Sequence, residues 1–146
     1  MQTAVLETPD QLKAILNEAR TIAVVGCSCH PHRTSYAIFQ YLKAAGYDVI
    51  PVNPNHEACD DVSCQPDLLA IPDDTRIDIV NIFRNPRHTA EMVDIAVQRA
   101  ENTGHRPVIW TQLGVSSPEA EETALRNDLP YVKNRCIMVE HRRHAG

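Results

Sequence analysis

The sequence lacks a long hydrophobic run. No apolar stretch approaches the roughly 20 residues that a membrane-spanning helix requires. The segment 1–10 also lacks the basic stretch followed by an apolar core that is typical of a secretory signal peptide. We therefore expect a protein that works in the cytoplasm and has no membrane partner.

Basic residues are scarce as well. Lysine and arginine together number 14 against 19 acidic residues, so the formal net charge is −5. General nucleic-acid binding requires a surplus of positive charge, because the protein must neutralise phosphates. We expect no nucleic-acid partner, although this charge is compatible with one local basic pocket for a phosphorylated ligand.

The sequence has only five glycines, and they form no nucleotide-binding motif. Gly26 follows an apolar run, but the other two glycines of a G-x-G-x-x-G fingerprint are missing, and no Gly-Lys-Ser/Thr of a P-loop is present. The segment Pro51-Val52-Asn53-Pro54 ends the second apolar run without the acidic residue that binds ribose hydroxyls in nicotinamide-binding domains. These absences disfavour NAD without excluding it.

Cysteine is present in an odd number and at irregular spacing. The five cysteines are Cys27, Cys29, Cys59, Cys64 and Cys136. In a protein without a secretion signal, such a set indicates reduced thiols. We expect no disulfide framework.

What the sequence does contain is a regular alternation of strand and helix patterns. Short apolar runs predict five strands, at 22–25, 49–52, 77–83, 108–110 and 131–132. Helical spacing and end signals predict helices near 8–19, 34–45, 86–104 and after Ser117, and the segment 137–144 is a short helix or a tail.

This alternation predicts an α/β fold. Right-handed crossovers between parallel strands give a Rossmann-like, doubly wound, mostly parallel five-stranded sheet with helices on both faces. We expect one domain over residues 1–146, in which the N-terminal helix of residues 1–20 packs across one edge of the sheet.

In such a sheet, ligands bind beyond the carboxyl ends of the strands. The segments that follow the predicted strands are 26–28, 53–54, 83–84, 112–114 and 134–136. The first is the most informative, because the next helix begins near Arg33-Thr34-Ser35 and a helix N-terminus attracts phosphate. Arg33 adds a fixed positive charge there, and the hydroxyls of Ser28 and Ser35 can donate hydrogen bonds.

An ordered set of segments carries a resemblance to a known family. The segments are 24–28, 33–36, 46–54, 78–80, 83–84, 110–114 and 134–136. Together they resemble the small stand-alone CoA-binding proteins, which are similar to the CoA-binding domain of the succinyl-CoA synthetase alpha subunit. The resemblance extends from about Thr21 to His141.

The resemblance implies that coenzyme A, or an acyl-CoA, binds across the carboxyl edge of the sheet. Each implied contact is carried over by position. Gly26, Cys27 and Ser28 would line the phosphates, with Arg33 and Ser35 nearby, and Asn53 and Pro54 would flank the adenosine end. Phe83 and Arg84 would border the pantetheine path, and the cleft would be completed by Gln112, Leu113, Gly114, Asn134, Arg135 and Cys136. Two positions depart from the family pattern, since Cys27 replaces a common Ala and Asn134 a frequent Asp.

No catalytic set is evident from the sequence. None of the seven histidines is tied to a carboxylate by sequence spacing, and the synthetase relative carries its catalytic histidine on another domain, for which this chain has no room. We expect a binding protein rather than an enzyme. The alternatives are a nicotinamide- or nucleotide-binding protein related to oxidoreductases and a scaffold without a ligand. A homodimer is compatible with this fold, because small Rossmann-like proteins often form dimers.

Two further hypotheses concern the cysteines. The run 27–32 places two thiols and two imidazoles within six residues and could bind zinc or copper, but its spacing does not match the usual zinc motifs, so we expect no metal. Cys27 at a helix N-terminus could have a lowered pKa and form a mixed disulfide with the CoA thiol. The alternative, which we favour, is that Cys27 is a small apolar side chain in place of Ala.

Overall fold

A computed structural model describes residues 4–145, and its centre is a five-stranded sheet in which every neighbouring pair is parallel. In the order β2-β1-β5-β6-β7, the strands are Asp48–Val52, Thr21–Val25, Ile79–Ile82, Val108–Thr111 and Tyr131–Val132. The five predicted strands are confirmed, although the third is shorter than predicted. A small antiparallel hairpin, β3 (Ala58–Cys59) and β4 (Val62–Ser63), was not predicted.

Five α-helices accompany the sheet, and their ends follow local chemistry. They are α1 (Pro9–Glu18), α2 (Thr34–Ala44), α3 (Pro86–Thr103), α4 (Pro118–Arg126) and α5 (Ile137–His144), with a short 3-10 helix at Leu68–Ala70. Thr8 and Gln11 form a capping box at the start of α1, and the Ser117 hydroxyl accepts a hydrogen bond from Ala120 N–H at the start of α4. The sequence did not decide whether residues 137–144 form a short helix or a tail, and in the structure they form the helix α5.

The helices cover both faces of the sheet, as the doubly wound prediction requires. On one face, Leu12 of α1, Phe39 of α2 and Ile137 of α5 pack in one cluster with Trp110 of β6. On the other face, α3 and α4 pack against the sheet through Val93, Ala96, Ala120 and Ala124.

The N-terminal helix does not cross an edge of the sheet, so that expectation is corrected. Its apolar stripe, Leu12 and Leu16, is buried on the face that α1 shares with α2 and α5. The residues before the helix lie along the sheet edge instead, where Leu6 N–H donates to the Tyr131 carbonyl at 2.8 Å.

The expectation of five reduced thiols is also corrected. Cys29 and Cys59 form a disulfide, whereas Cys27, Cys64 and Cys136 are free and buried. Cys29 follows β1 and Cys59 lies in the hairpin, so only the tertiary fold brings them together. Within residues 4–145, no helix is long and apolar enough to cross a membrane.

The strand order reverses direction at β1, and this positions the site. From β1 the chain passes through α2 to β2 on one side, whereas β5 lies on the other side and leads into α3. Because α2 and α3 lie on opposite faces, the loops that leave β1 and β5 separate and open a crevice at their carboxyl ends.

Candidate ligand-binding site

A cavity of about 570 Å³ opens at the carboxyl end of β1. The β1–α2 loop, the end of β2 and the end of β5 form its walls. Its lining residues are Gly26, Ser28, His30, His32, Arg33, Thr34, Ser35, Asn53, His56 and Phe83. A second cavity of about 270 Å³ shares Gly26 and continues past Pro54 and Arg84 toward Met92 and Ile95 of α3. The two cavities therefore adjoin at the reversal point of the sheet.

Gly26 allows the crevice to form. Its φ is +83°, and its N–H donates to the Val52 carbonyl at 2.8 Å, which ties the end of β1 to β2. A Cβ at this position would lie 2.5 Å from the Phe83 carbonyl oxygen at the end of β5. Only glycine has the conformation and the size for this close approach of two strand ends.

The loop after Gly26 is held by side chains that the sequence singled out. Ser28 N–H donates to the Ser35 hydroxyl at 2.9 Å, and the Asn53 side-chain amide donates to the Cys27 carbonyl at 3.0 Å. The helix α2 begins directly after Arg33, whose side chain makes no capping hydrogen bond. The first N–H groups of α2 therefore have no side-chain cap at the cavity, which is the arrangement that favours a bound anion.

Arg33 and Arg84 supply positive charge beside these N–H groups. Arg33 is exposed at the larger cavity, and Arg84 is half-buried at the smaller one. Within residues 4–145, neither guanidinium has a hydrogen-bond or ion-pair partner. Two unpaired guanidinium groups in adjoining cavities suit a ligand with several phosphate or carboxylate oxygens.

Three histidines line the same cavity, and the sequence reasoning did not include them among the site residues. His30 and His32 belong to the β1–α2 loop, and His56 follows the end of β2. The rings of His30 and His56 meet edge to face with 5.4 Å between their centroids. Their positions just after strand ends, which located the other candidates, could also have identified them.

Gln112 presents an unpaired acceptor at the carboxyl end of β6. Its backbone N–H donates to the Ile82 carbonyl at 3.3 Å, so it lies beside the end of β5. The residue is only 6% exposed, and among residues 4–145 its side-chain oxygen has no hydrogen-bond partner. Because a buried acceptor without a donor is costly, this oxygen is a candidate partner for a ligand N–H.

Neither Gln112 nor the other candidates on the β6 and β7 side line either cavity. Leu113 is 64% exposed, and Gly114 has a φ of +74° in the turn after β6. Asn134 accepts a hydrogen bond from Ser116 N–H at 3.1 Å, so it joins the loops after β6 and β7. Their predicted contacts with a ligand remain predictions.

Arg135 and Cys136 are also held within the protein. The Arg135 guanidinium lies 3.5 Å from the Glu140 carboxylate of α5 and donates to the Glu7 carbonyl at 3.2 Å. Cys136 is 9% exposed at the start of α5. These contacts fasten α5 and the N-terminal segment, and neither residue belongs to the two cavities.

Cys27 stands between two cavity residues in sequence, but its side chain does not line the cavity. Its side chain is fully buried among core residues of the α2 face, and its thiol lies 3.6 Å from the Ser28 carbonyl oxygen. Burial, with a smaller contribution from Cys64, raises the pKa of the Cys27 thiol to about 12. The hypothesis of a lowered pKa is therefore wrong, and the small apolar interpretation of Cys27 describes its surroundings.

A cavity of about 630 Å³, larger than the two at the carboxyl ends, lies at the opposite end of the sheet. Its walls include Arg20 before β1, Asp48 at the start of β2 and His141 of α5. The amino ends of parallel strands do not converge on a crevice of the kind that binds nucleotides. Volume alone therefore does not identify the site, and the loop chemistry favours the carboxyl end.

Comparison with known proteins identifies the family and agrees with the fold. The family model described as a CoA binding domain matches residues 20–142. The chain is 34% identical over 131 residues to the uncharacterized protein YneT of Bacillus subtilis (strain 168), covering 90% of this chain and 92% of YneT.

Two solved structures are similar over nearly the whole length. A hypothetical protein from Pyrococcus horikoshii OT3 is 36% identical with a TM-score of 0.86, covering 94% of this chain and 92% of that one. The protein cell-free ID.343 from Thermus thermophilus is 31% identical with a TM-score of 0.84, covering 94% of this chain and 98% of that one.

Proposed function

The chain belongs to the family of CoA-binding domains, and from this premise we propose that it binds coenzyme A or an acyl-CoA at the carboxyl ends of β1 and β5. The observation that carries the proposal is the Gly26 crevice, where the uncapped start of α2 and the unpaired Arg33 line one cavity and the unpaired Arg84 lines the adjoining one. These groups match the chemistry of a ligand that carries several phosphates.

The two adjoining cavities suit different parts of CoA. The phosphates would contact the first N–H groups of α2, Arg33 and the Ser28 hydroxyl. The adenosine end would lie toward Asn53 and Pro54. The pantetheine arm would pass Phe83 of the larger cavity and Arg84 of the smaller one. Gln112 lies outside the lining of both cavities, and its unpaired oxygen would accept a hydrogen bond from an amide N–H of an arm that extends to it.

The proposed role is binding without catalysis, in the cytoplasm. Within residues 4–145, the imidazoles of His30, His32 and His56 have no hydrogen bond or ion pair with a carboxylate. A general base that activates a nucleophile is usually oriented by such a partner. Arg33 instead gives the cavity a positive charge that favours a polyanion, and the ring N–H groups of the histidines can donate hydrogen bonds to it.

A thermal-shift titration tests the ligand. Purified protein would be heated with CoA, acetyl-CoA, NAD and ATP in parallel. A ligand at 100 times its Kd stabilises the folded state by about 2.7 kcal/mol, which for a domain near this size corresponds to a rise in Tm of about 5–10 °C. We expect this rise with CoA or acetyl-CoA. A rise with NAD alone would indicate a nicotinamide-binding protein, and no rise with any ligand would indicate a scaffold.

Two arginine variants test the site. Arg33→Ala and Arg84→Ala each remove a charged hydrogen-bond donor, so each should weaken CoA binding by about tenfold or more in calorimetric titrations. The matched control is Arg126→Ala, which removes an exposed arginine that pairs with Glu122 at the end of α4. Binding that is unchanged in Arg33→Ala and Arg84→Ala would place the ligand elsewhere.

A further inference from the structure

Three cysteine sulfurs meet beside the ligand loop. The Sγ atoms of Cys29, Cys59 and Cys64 all lie within 4.8 Å of one another. Cys29 comes from the β1–α2 loop, Cys59 from β3 and Cys64 from the residue after β4. Two chain segments, the β1–α2 loop and the β3–β4 hairpin, thus bring three sulfurs to one point, which neither the sequence motifs nor the proposed CoA site requires.

The hairpin fixes two of these sulfurs on one face. Cys59 pairs with Val62 across the hairpin, and Cys64 lies two residues beyond Val62, so all three side chains point to the same side. The Cys64 N–H donates to the Glu57 carbonyl at 2.8 Å, which holds that end of the hairpin in place. Cys59 and Cys64 are separated by four residues, a C-x₄-C spacing that falls within the range seen at structural zinc sites.

Reduction of the disulfide would change what the cluster can bind. In the structure, Cys29 and Cys59 form a disulfide and Cys64 is a free thiol. Two molecules of a small monothiol reduce the disulfide by thiol–disulfide exchange: their electrons break the S–S bond, their protons pass to Cys29 and Cys59, and they leave as one oxidised disulfide. The reduced cluster then offers three thiol ligands.

We propose that the reduced cluster of Cys29, Cys59 and Cys64 is a zinc-binding site. A tetrahedral zinc ion with Zn–S bonds of about 2.3 Å keeps its sulfurs roughly 3.8 Å apart. The three sulfurs already lie within 4.8 Å, so the reduced Cys29 and Cys59 need only separate around the ion. Zinc binding releases the thiol protons, and water fills the fourth position.

The surroundings suit a soft metal ion. Cys59 is fully buried and Cys64 is 9% exposed, whereas Cys29 is half-buried and leaves an opening toward the solvent. Thiolates select zinc or copper(I) over magnesium and calcium. This site differs from the one that the run 27–32 suggested, because Cys27 is not one of the three cysteines whose sulfurs meet and the hairpin supplies two of the three ligands.

Zinc titration tests the proposal. The protein would be reduced with a phosphine, desalted without oxygen and titrated with zinc against a chromogenic chelator. We expect about one equivalent of zinc per chain in the reduced protein and none in the oxidised protein. Zinc should also protect the thiols of Cys29 and Cys59 from alkylation. A reduced wild-type protein that binds no zinc would overturn the proposal.

Variants assign the ligands. Cys59→Ser and Cys64→Ser should each weaken zinc binding by more than about 100-fold, because even groups that only support a metal ligand contribute about 10–100-fold. Cys136→Ala is the matched control, since it removes a buried free cysteine outside the cluster and should retain one equivalent. Equal zinc affinity in Cys64→Ser and wild type would refute the three-cysteine site.

A second measurement on the wild-type chain does not depend on the folding of any variant. Reduced protein would be alkylated with and without zinc and its peptides weighed by mass spectrometry. Zinc should slow alkylation of Cys29, Cys59 and Cys64 and leave the rate at Cys136 unchanged. Equal rates at all four cysteines with and without zinc would contradict the site, whatever the behaviour of the variants.

Discussion

At the scale of single residues, Gly26 links the fold to the candidate site. Its neighbour across the crevice is backbone, the carbonyl of Phe83, which cannot move aside as a flexible side chain would. We expect Gly26→Ala to lower the free energy of unfolding by about 2–4 kcal/mol, from the left-handed conformation and the overpacked contact together. Urea unfolding followed by circular dichroism measures this change.

Gly104→Ala separates the two causes. Gly104 has a φ of +77°, close to that of Gly26, but a Cβ there would meet no atom within 4 Å. This variant should lose only the conformational part, about 1–2 kcal/mol. If Gly26→Ala lost no more than Gly104→Ala, the close approach of β1 and β5 would not be the reason for glycine at position 26.

The structure brings Gly26, Arg33 and Asn53 to one cavity, and their contacts with a ligand stay predictions. Gly26 and Asn53 could be selected because they follow strand ends, and Arg33 because it precedes the first residue of α2. Cys27 could not be placed in the same way. The positive φ of Gly26 turns the next side chain into the core, and no feature of the sequence states that angle.

At the scale of elements, the disulfide fastens the ligand loop to the β3–β4 hairpin. Cys29 and Cys59 are 30 residues apart in sequence, so their bond closes a long loop in the unfolded chain. By the chain-entropy relation, such a loop contributes about 3–4 kcal/mol to stability. We expect reduction, in the presence of a chelator, to lower the free energy of unfolding in urea by about this amount.

A double variant provides the control for this measurement. Cys29→Ser/Cys59→Ser should have the stability of the reduced wild type, and reductant should not change it further. A wild-type protein that unfolds at the same urea concentration with and without reductant would show that the bond does not constrain the unfolded chain.

The hairpin itself was beyond sequence prediction. Its strands have two residues each, too few for an alternating pattern to be recognised. The sequence expectation of reduced thiols rested on compartment and spacing, and neither reports that the fold brings the loop after β1 against β3. The ends of a long helix could be predicted, by contrast: α3 begins after Asn85 and ends at Gly104, as the signals at these two residues predict.

At the scale of the whole molecule, the two faces of the sheet follow from local patterns. Continuous apolar runs predicted strands that are buried on both sides, and all four residues of β5 are buried. The strand order and the side on which each helix packs needed the rule for right-handed crossovers as well. The sequence did not reveal that α1 and α5 complete one face, because that depends on the path of both chain ends.

The contacts that α5 makes on this face predict how the stability of the whole protein depends on pH. His141 of α5 shares a hydrogen bond of 2.8 Å with the Tyr41 hydroxyl of α2, and its ring packs edge to face against Tyr47. Burial lowers the pKa of His141 below its ordinary value of 6.5. As the pH falls below 6.5, the unfolded chain therefore binds a proton at this residue before the folded protein does, and stability decreases until the lowered pKa is reached.

The His141→Gln variant isolates this contribution from those of the other histidines. Glutamine keeps a polar group near Tyr41 but does not titrate, so the variant should lose less stability than the wild type between pH 7.5 and pH 5. Urea unfolding at several pH values gives the two curves, and only their difference is assigned to His141. If the curves ran parallel, the packing of α5 on α2 would not disfavour the protonated ring. A steeper fall in the wild type would show that the closure of this face by the end of the chain is weakened by acid.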